Sequence, residues 1–285
     1  MLPVDVQLEL FDLLILPILL YGCEVWGYQN IEQIEVFYRK YIRNLIGIHK
    51  STPNCMTYGE VGKNKIRTIV DNRMIQYWAR LVNSKNSKLS KIIYTLSVKM
   101  QEGNIYSSKW LTKIKEIINN NVFSFLWGHS QINTNWLKLA LPQRLKDCEL
   151  QNWQSEVNDN RLCGSYKLFK ETLSLELYLS ELEFEDRITL AKFRCGCHKL
   201  PVSANKYVNL DSPMLCNSCD MNEQGDEYHY TLVCPKFNDE RKKYLESFFH
   251  RRPSTLKMSL LFNSKNVRIL SNLAKFLKII MESFP

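Results

Sequence analysis

Four side chains able to bind a metal, Cys216, Cys219, His229 and Cys234, stand in the order Cys-x2-Cys-x9-His-x4-Cys. Three thiolates and one imidazole can complete the shell of one tetrahedral Zn²⁺, and four protein ligands leave no position open for water. A structural ion is therefore expected, not a catalytic one. Disulfide pairing is the alternative, and it would leave His229 idle. To position the set, residues 216–219 must form one turn with both sulfurs on the same side. The polar stretch 220–228, with Gly225-Asp226, must return the chain. A helical turn between His229 and Cys234 would then aim both side chains in roughly one direction. Cys234-Pro235 closes the unit, because proline disfavours helix at the residue before it. Cys195-Gly196-Cys197-His198 is a second cluster upstream, not expected to ligate because four donors already exist.

The elements around this array read as helices. Ile31, Ile34, Phe37 or Tyr38, Tyr41, Ile42, Leu45 and Ile46 recur at helical spacing, with the helix expected to stop at Gly47. Further helices are expected over 66–81, 91–100, 110–125, 136–153, 165–181 and 187–198, with 101–104 as a linker. Strand-like alternation is scarce, so the expected fold is mainly α. Most tryptophans, Trp26, Trp78, Trp127, Trp136 and Trp153, lie in apolar stretches and are expected as core anchors. His49 and His129 are expected in loops without chemistry.

The 285 residues are 45% hydrophobic and 24% charged, the balance of a core-forming chain and not of a disordered one. Nine cysteines, scattered apart from the array, suit a reducing compartment. The apolar run 13–23 is too short for a membrane span of about 20 residues, so a buried core helix is expected and no membrane partner. Asp5, Glu9 and Asp12 occupy the place where a signal peptide carries positive charge. The net charge of +9 favours an anionic partner, nucleic acid first and a membrane surface second. Neither a carboxylate pair, a nucleophile triad nor a phosphate loop marks an autonomous enzyme.

Leu16-Pro17-Ile18-Leu19-Leu20-Tyr21-Gly22-Cys23-Glu24-Val25-Trp26-Gly27 resembles the signature just past the polymerase core in LINE-type (non-LTR, jockey-like) retrotransposon reverse transcriptases. Leu45-Ile46-Gly47, Thr52-Pro53-Asn54, Tyr58-Gly59-Glu60-Val61-Gly62, Tyr77-Trp78-Ala79-Arg80-Leu81 and His198-Lys199-Leu200-Pro201 follow in the family's order, ahead of the cysteine array. The resemblance implies a thumb near residues 1–60 within a helical region 1–100, a helical connector over 101–190, and a basic zinc-binding module over 191–285. It also implies RNA or DNA as partner, the rest of a retroelement polymerase as another, and a nuclear or cytoplasmic ribonucleoprotein setting. No two aspartates are adjacent, so the family's aromatic-x-Asp-Asp motif is absent. The chain alone is thus expected to be without polymerase activity. Only 51 residues follow Cys234, fewer than a C-terminal nuclease needs. The nine-residue loop before His229 also departs from the short retroviral knuckle.

Phosphate contacts are expected from Lys236, Arg241, Lys242, Lys243, Arg251 and Arg252, with Lys257 beside them, and from the thumb bases Arg39, Lys40 and Arg43. From residue 235 onward, eleven Lys and Arg face four Asp and Glu. Tyr244, Phe248, Phe249 and His250 interleave with these bases, as stacking groups or as core. The alternative reading is a non-catalytic remnant or domesticated protein that serves as an interaction scaffold.

Overall fold

A computed structural model of the chain describes residues 2–29, 31–202 and 214–284. Helix dominates these residues, and their single β-bridge joins Leu215 to Gln224, so the fold is mainly α as expected. The principal helices are α1 (Val4–Leu10), α2 (Glu32–Ile46), α3 (Asn54–Val61), α4 (Ile66–Val82), α5 (Leu89–Glu102), α6 (Lys109–Asn120), α7 (Thr134–Asp159), α8 (Phe184–Arg194), α9 (Asn238–Tyr244), α10 (Thr255–Phe262) and α11 (Val267–Glu282). No helix among the described residues is long and apolar enough to cross a membrane.

Two compact units form from alternating segments. The first takes residues 1–10, 39–63 and 153–285, and the second takes 11–38 and 64–152. The consecutive regions expected from sequence, 1–100, 101–190 and 191–285, do not share these borders. Residues 101–104, expected as a linker, lie inside the second unit, the first two ending α5 and the last two turning.

In the first unit the core closes around a buried charge. The Arg194 side chain, at the end of α8, has no exposed surface, and neither has Glu60 of α3. Arg194 Nε donates to Glu60 Oε2 at 3.1 Å, and Nη2 reaches Glu176 Oε2 at 3.0 Å. The same guanidinium donates to the carbonyls of Phe262 and Phe169. Tyr178 donates its hydroxyl to Glu60, and Lys170 pairs with Glu176. Burial alone would lower the Arg194 pKa, but Glu60 and Glu176 outweigh it and raise it. Phe169 and Phe193 stack on Phe262 with ring centroids 4.3 and 5.7 Å away.

This network explains one departure from the sequence reading. A single helix was expected over 165–181, yet the chain forms two short ones, Tyr166–Phe169 and Leu177–Glu181. Between them Lys170 is extended, and Glu176 donates its N–H to the Glu60 carbonyl. That bond, with the Lys170 and Glu176 charges drawn inward, takes the segment away from helix. Gly62 makes room for it. Gly62 ends α3 in the left-handed region (φ 63°), with the Lys63 N–H closing on the Tyr58 carbonyl. A Cβ there would stand 2.3 Å from the Leu175 nitrogen.

In the second unit the Tyr21–Gly27 block is a docking turn against α4. Gly22 is left-handed (φ 69°), which lets the Trp26 indole donate back to the Tyr21 carbonyl at 2.8 Å. A Cβ on Gly27 would come within 2.4 Å of Val70, so only glycine allows this approach to α4. Arg67 and Arg73 of α4 donate to the carbonyls of Gly27 and Leu20, and Trp110 of α6 donates to that of Glu24. Trp78 stacks on Trp127 with centroids 5.8 Å apart.

The apolar run 13–23 departs from expectation. Its apolar character predicts a buried core helix, but a π-helix at Phe11–Ile15 leads into a short α-helix at Leu16–Leu19, and only Leu16, Leu20 and Cys23 are buried. Leu13, Leu14 and Ile18 are 63%, 60% and 73% exposed. Hydrophobicity was right about helix but could not say how many faces are covered. Tryptophan also divides: Trp78 and Trp153 are buried, whereas Trp136 is exposed.

Breaking the buried pair leaves one charge stranded, which costs about 3–5 kcal/mol. Arg194→Met and Glu60→Gln are each expected to destabilise the first unit by that amount in a denaturant titration. The double variant Arg194→Met with Glu60→Leu should recover a large part of the loss. Additive losses would contradict the pairing.

Candidate metal centre

Residues 214–216 and 223–225 run antiparallel for one bridge. The Cys216 N–H donates to the Glu223 carbonyl at 2.8 Å, and the Gly225 N–H donates to the Met214 carbonyl at 2.9 Å. This clamp returns the chain and leaves Cys216 and Cys219 in the loop it closes. The Ser218 N–H points back at the Cys216 sulfur at 3.4 Å, and the Cys216 and Cys219 sulfurs belong to one cluster of donor atoms.

His229 and Cys234 sit at the two ends of a π-helical turn, His229–Val233, closed by the Cys234 N–H on the His229 carbonyl at 2.7 Å. An α-helix advances about 100° per residue and would leave residues five apart facing different ways. The wider i→i+5 turn brings the fifth residue back beneath the first. Asp226 begins the turn, its carboxylate accepting the His229 N–H at 2.8 Å.

The four donor atoms lie within 4.8 Å of one another and could hold a metal ion. Cys216 Sγ and Cys234 Sγ are 3.9 Å apart, and Cys219 Sγ is 3.4 Å from His229 Nε2. Around a tetrahedral ion with metal–sulfur near 2.3 Å and metal–nitrogen near 2.0 Å, those separations are about 3.8 and about 3.5 Å. The donors fit one ion. All nine cysteines are free thiols, so no disulfide competes. Glu223 Oε2 lies 2.9 Å from His229 Nδ1, which fixes the proton on Nδ1 and turns the Nε2 lone pair toward the thiols. Burial pushes the Cys216 thiol up, but hydrogen bonds from Tyr230, the Ser218 N–H, Cys219 and His229 more than offset it and bring it to about 7. Burial pushes Cys234 up to about 12. A bound cation would favour the thiolate at both.

The upstream cluster stays out of the centre. Cys197 Sγ lies 3.2 Å from Thr52 Oγ1 and accepts the His49 N–H, so His49 takes part in a contact the sequence did not suggest. His198 pairs with Glu227 at 3.1 Å, and Ser165 donates to the same carboxylate at 2.6 Å. Those bonds tie the segment that bears the Cys/His cluster to the rest of the first unit.

The expected phosphate contacts separate into two groups. Lys236, Lys242, Lys243, Arg251, Arg252 and Lys40 are exposed. Arg241 is not a surface base: it is 3% exposed, and its guanidinium donates to the carbonyls of Thr231, Cys234 and Tyr230 at 2.9, 2.9 and 3.3 Å. It satisfies carbonyls that the π turn leaves open and so holds α9 to the ligand-bearing turn. Arg39 is also buried. Arg43 is half-buried and committed to the Thr52 carbonyl and the Asn54 side chain, both at 2.8 Å. Arginine's long stem and five donors suit such internal work, which charge counting cannot distinguish from phosphate contact. Of the aromatics, Phe249 is core and Phe248 is 55% exposed. Burial lowers the His250 pKa, and Arg241, Lys242, Arg251 and Lys257 lower it further, so these cations share one field.

Sequence reading missed Glu223 and Asp226. An acid three residues before a helical turn is a capping signal and would have found Asp226; no local rule points to Glu223. Cys216→Ser, His229→Ala or a chelator is expected to cost about 3 kcal/mol locally, roughly a hundredfold faster amide exchange over 214–250. Amides of α4 should keep their protection, and equal exchange with and without chelator would contradict a structural ion. No protein-family model, no curated protein and no solved structure matches the chain.

Proposed function

We propose that the ion is Zn²⁺ and that it supports a nucleic-acid-binding module. Three thiols and one imidazole at tetrahedral spacing are a closed structural zinc shell, and soft sulfur donors disfavour Mg²⁺ and Ca²⁺. The carrying observation is Arg241, whose guanidinium joins the zinc-ligand turn to α9 and its exposed Lys242 and Lys243. The metal thereby fixes the position of a basic surface. Exposed Phe248, with Lys257 Nζ 4.9 Å above its ring, offers a stacking face beside that charge.

On this reading the chain is the thumb, connector and zinc-binding region of a LINE-type reverse transcriptase, binding RNA or DNA through its backbone and without base specificity. The Tyr21–Gly27 turn and the Cys/His array support that reading as sequence features with defined structural roles. A second reading, an interaction scaffold, has one observation in its favour: Leu13, Leu14 and Ile18 are exposed within a single run.

Affinity for single-stranded RNA and duplex DNA should fall steeply with salt, and replacing Lys242 and Lys243 by glutamine should reduce the slope of log K against log salt by about 1.4–1.8. Salt-independent or absent binding by the zinc-loaded protein would favour the scaffold. Binding should also be tighter at lower pH. Phosphates that neutralise Lys242, Arg251 and Lys257 lift the depressed His250 pKa, so the complex takes up protons. An upward shift of the His250 titration on adding oligonucleotide, read by NMR, checks this.

A further inference from the structure

The second unit contains a cleft of about 500 Å³ between α4 and α7 that the expected binding residues do not touch. Arg73, Gln76 and Arg80 stand at i, i+3 and i+7 on α4, and Thr134 and Lys138 stand at i and i+4 on α7. Each helix therefore presents one face to the same space. Glu24 is the one carboxylate in the lining, leaving an excess of two positive charges. We propose that this cleft binds phosphate groups, as a second anion site independent of the zinc-supported surface.

The walls are held before any ligand arrives. Arg73 Nη1 is anchored on the Leu20 carbonyl at 3.2 Å, Gln76 Nε2 bridges to the Leu137 carbonyl at 3.3 Å, and the Arg80 guanidinium lies 5.7 Å from the Tyr77 ring centroid. Two guanidiniums, an ammonium and a hydroxyl converging on one space match tetrahedral oxyanions, since arginine's fork pairs two donors with two phosphate oxygens. The volume exceeds one phosphate and accommodates a nucleotide-sized group.

The same chemistry would be met by the phosphodiester backbone of a nucleic acid or by free polyphosphate, and two probes separate them. Arg80 and Lys138 are exposed, so Arg80→Gln with Lys138→Gln should leave the fold intact, whereas Arg73 is partly structural. Lys85→Gln with Lys88→Gln, exposed and outside the cleft, removes equal charge as a control. Binding of inorganic pyrophosphate by calorimetry and of a single-stranded oligonucleotide by anisotropy is measured for all three proteins. Loss of about tenfold in oligonucleotide affinity, with a salt slope lower by about 1.4 in the cleft variant and not in the control, identifies backbone phosphate. Loss of pyrophosphate binding alone identifies free phosphate. Equal losses in cleft and control variants, no loss in either, or a wild-type protein that binds neither probe would overturn the site. A wild type that binds pyrophosphate in the cleft but no nucleic acid would refute the function proposed above while upholding this one.

Discussion

A guanidinium removed wholly from water is tolerable only when its charge and its donors are met on every side. Arg194 satisfies that condition by drawing together segments far apart in sequence: Glu60 at the end of α3, Glu176 and the Phe169 carbonyl from the broken stretch after residue 165, and the Phe262 carbonyl at the end of α10. Each partner is needed because the desolvation cost of the ion exceeds what one carboxylate returns. The left-handed Gly62, the interrupted helix over 165–181 and the stacked Phe169, Phe193 and Phe262 are arrangements that let those groups converge. The first unit is organised by electrostatics at its centre and by apolar packing around it.

The candidate metal centre repeats this logic on a smaller scale. Arg241 is again a buried arginine whose donors end on carbonyls, here those of the π turn that carries two ligands. Glu227 extends the chain of polar contacts outward through His198 and Ser165. A short loop with little core of its own thus borrows rigidity from the first unit and, on the function proposed here, lends it to the basic surface of α9.

Sequence reading found what is periodic or chemically conspicuous. The helix ending at Gly47, the helix over 66–81 that carries Trp78, and the four-residue Cys/His cluster were all legible, because side-chain period and donor type are local properties. The interleaving of the two units was not, since no composition shift marks residues 38, 63 or 152. Nor was the fate of the arginines. Arg39 and Arg241 read as surface bases by charge alone, and only the positions of distant carbonyls and carboxylates decide that they are internal. The same limit hid Arg73, Arg80 and Lys138, which lie up to 65 positions apart and meet only across two helices.

The π turn at His229 sets different tolerances on the intervals of the ligand array. Between Cys219 and His229 the strand-like clamp at Leu215 and Gln224 fixes the ends of a loop, so residues could be gained or lost at its tip without moving a donor. Between His229 and Cys234 every residue belongs to one hydrogen-bonded ring, and an insertion would rotate one donor out of reach. The array has one elastic interval and one inelastic interval. Divergent versions of such a module should differ in length before the histidine and hold their count after it.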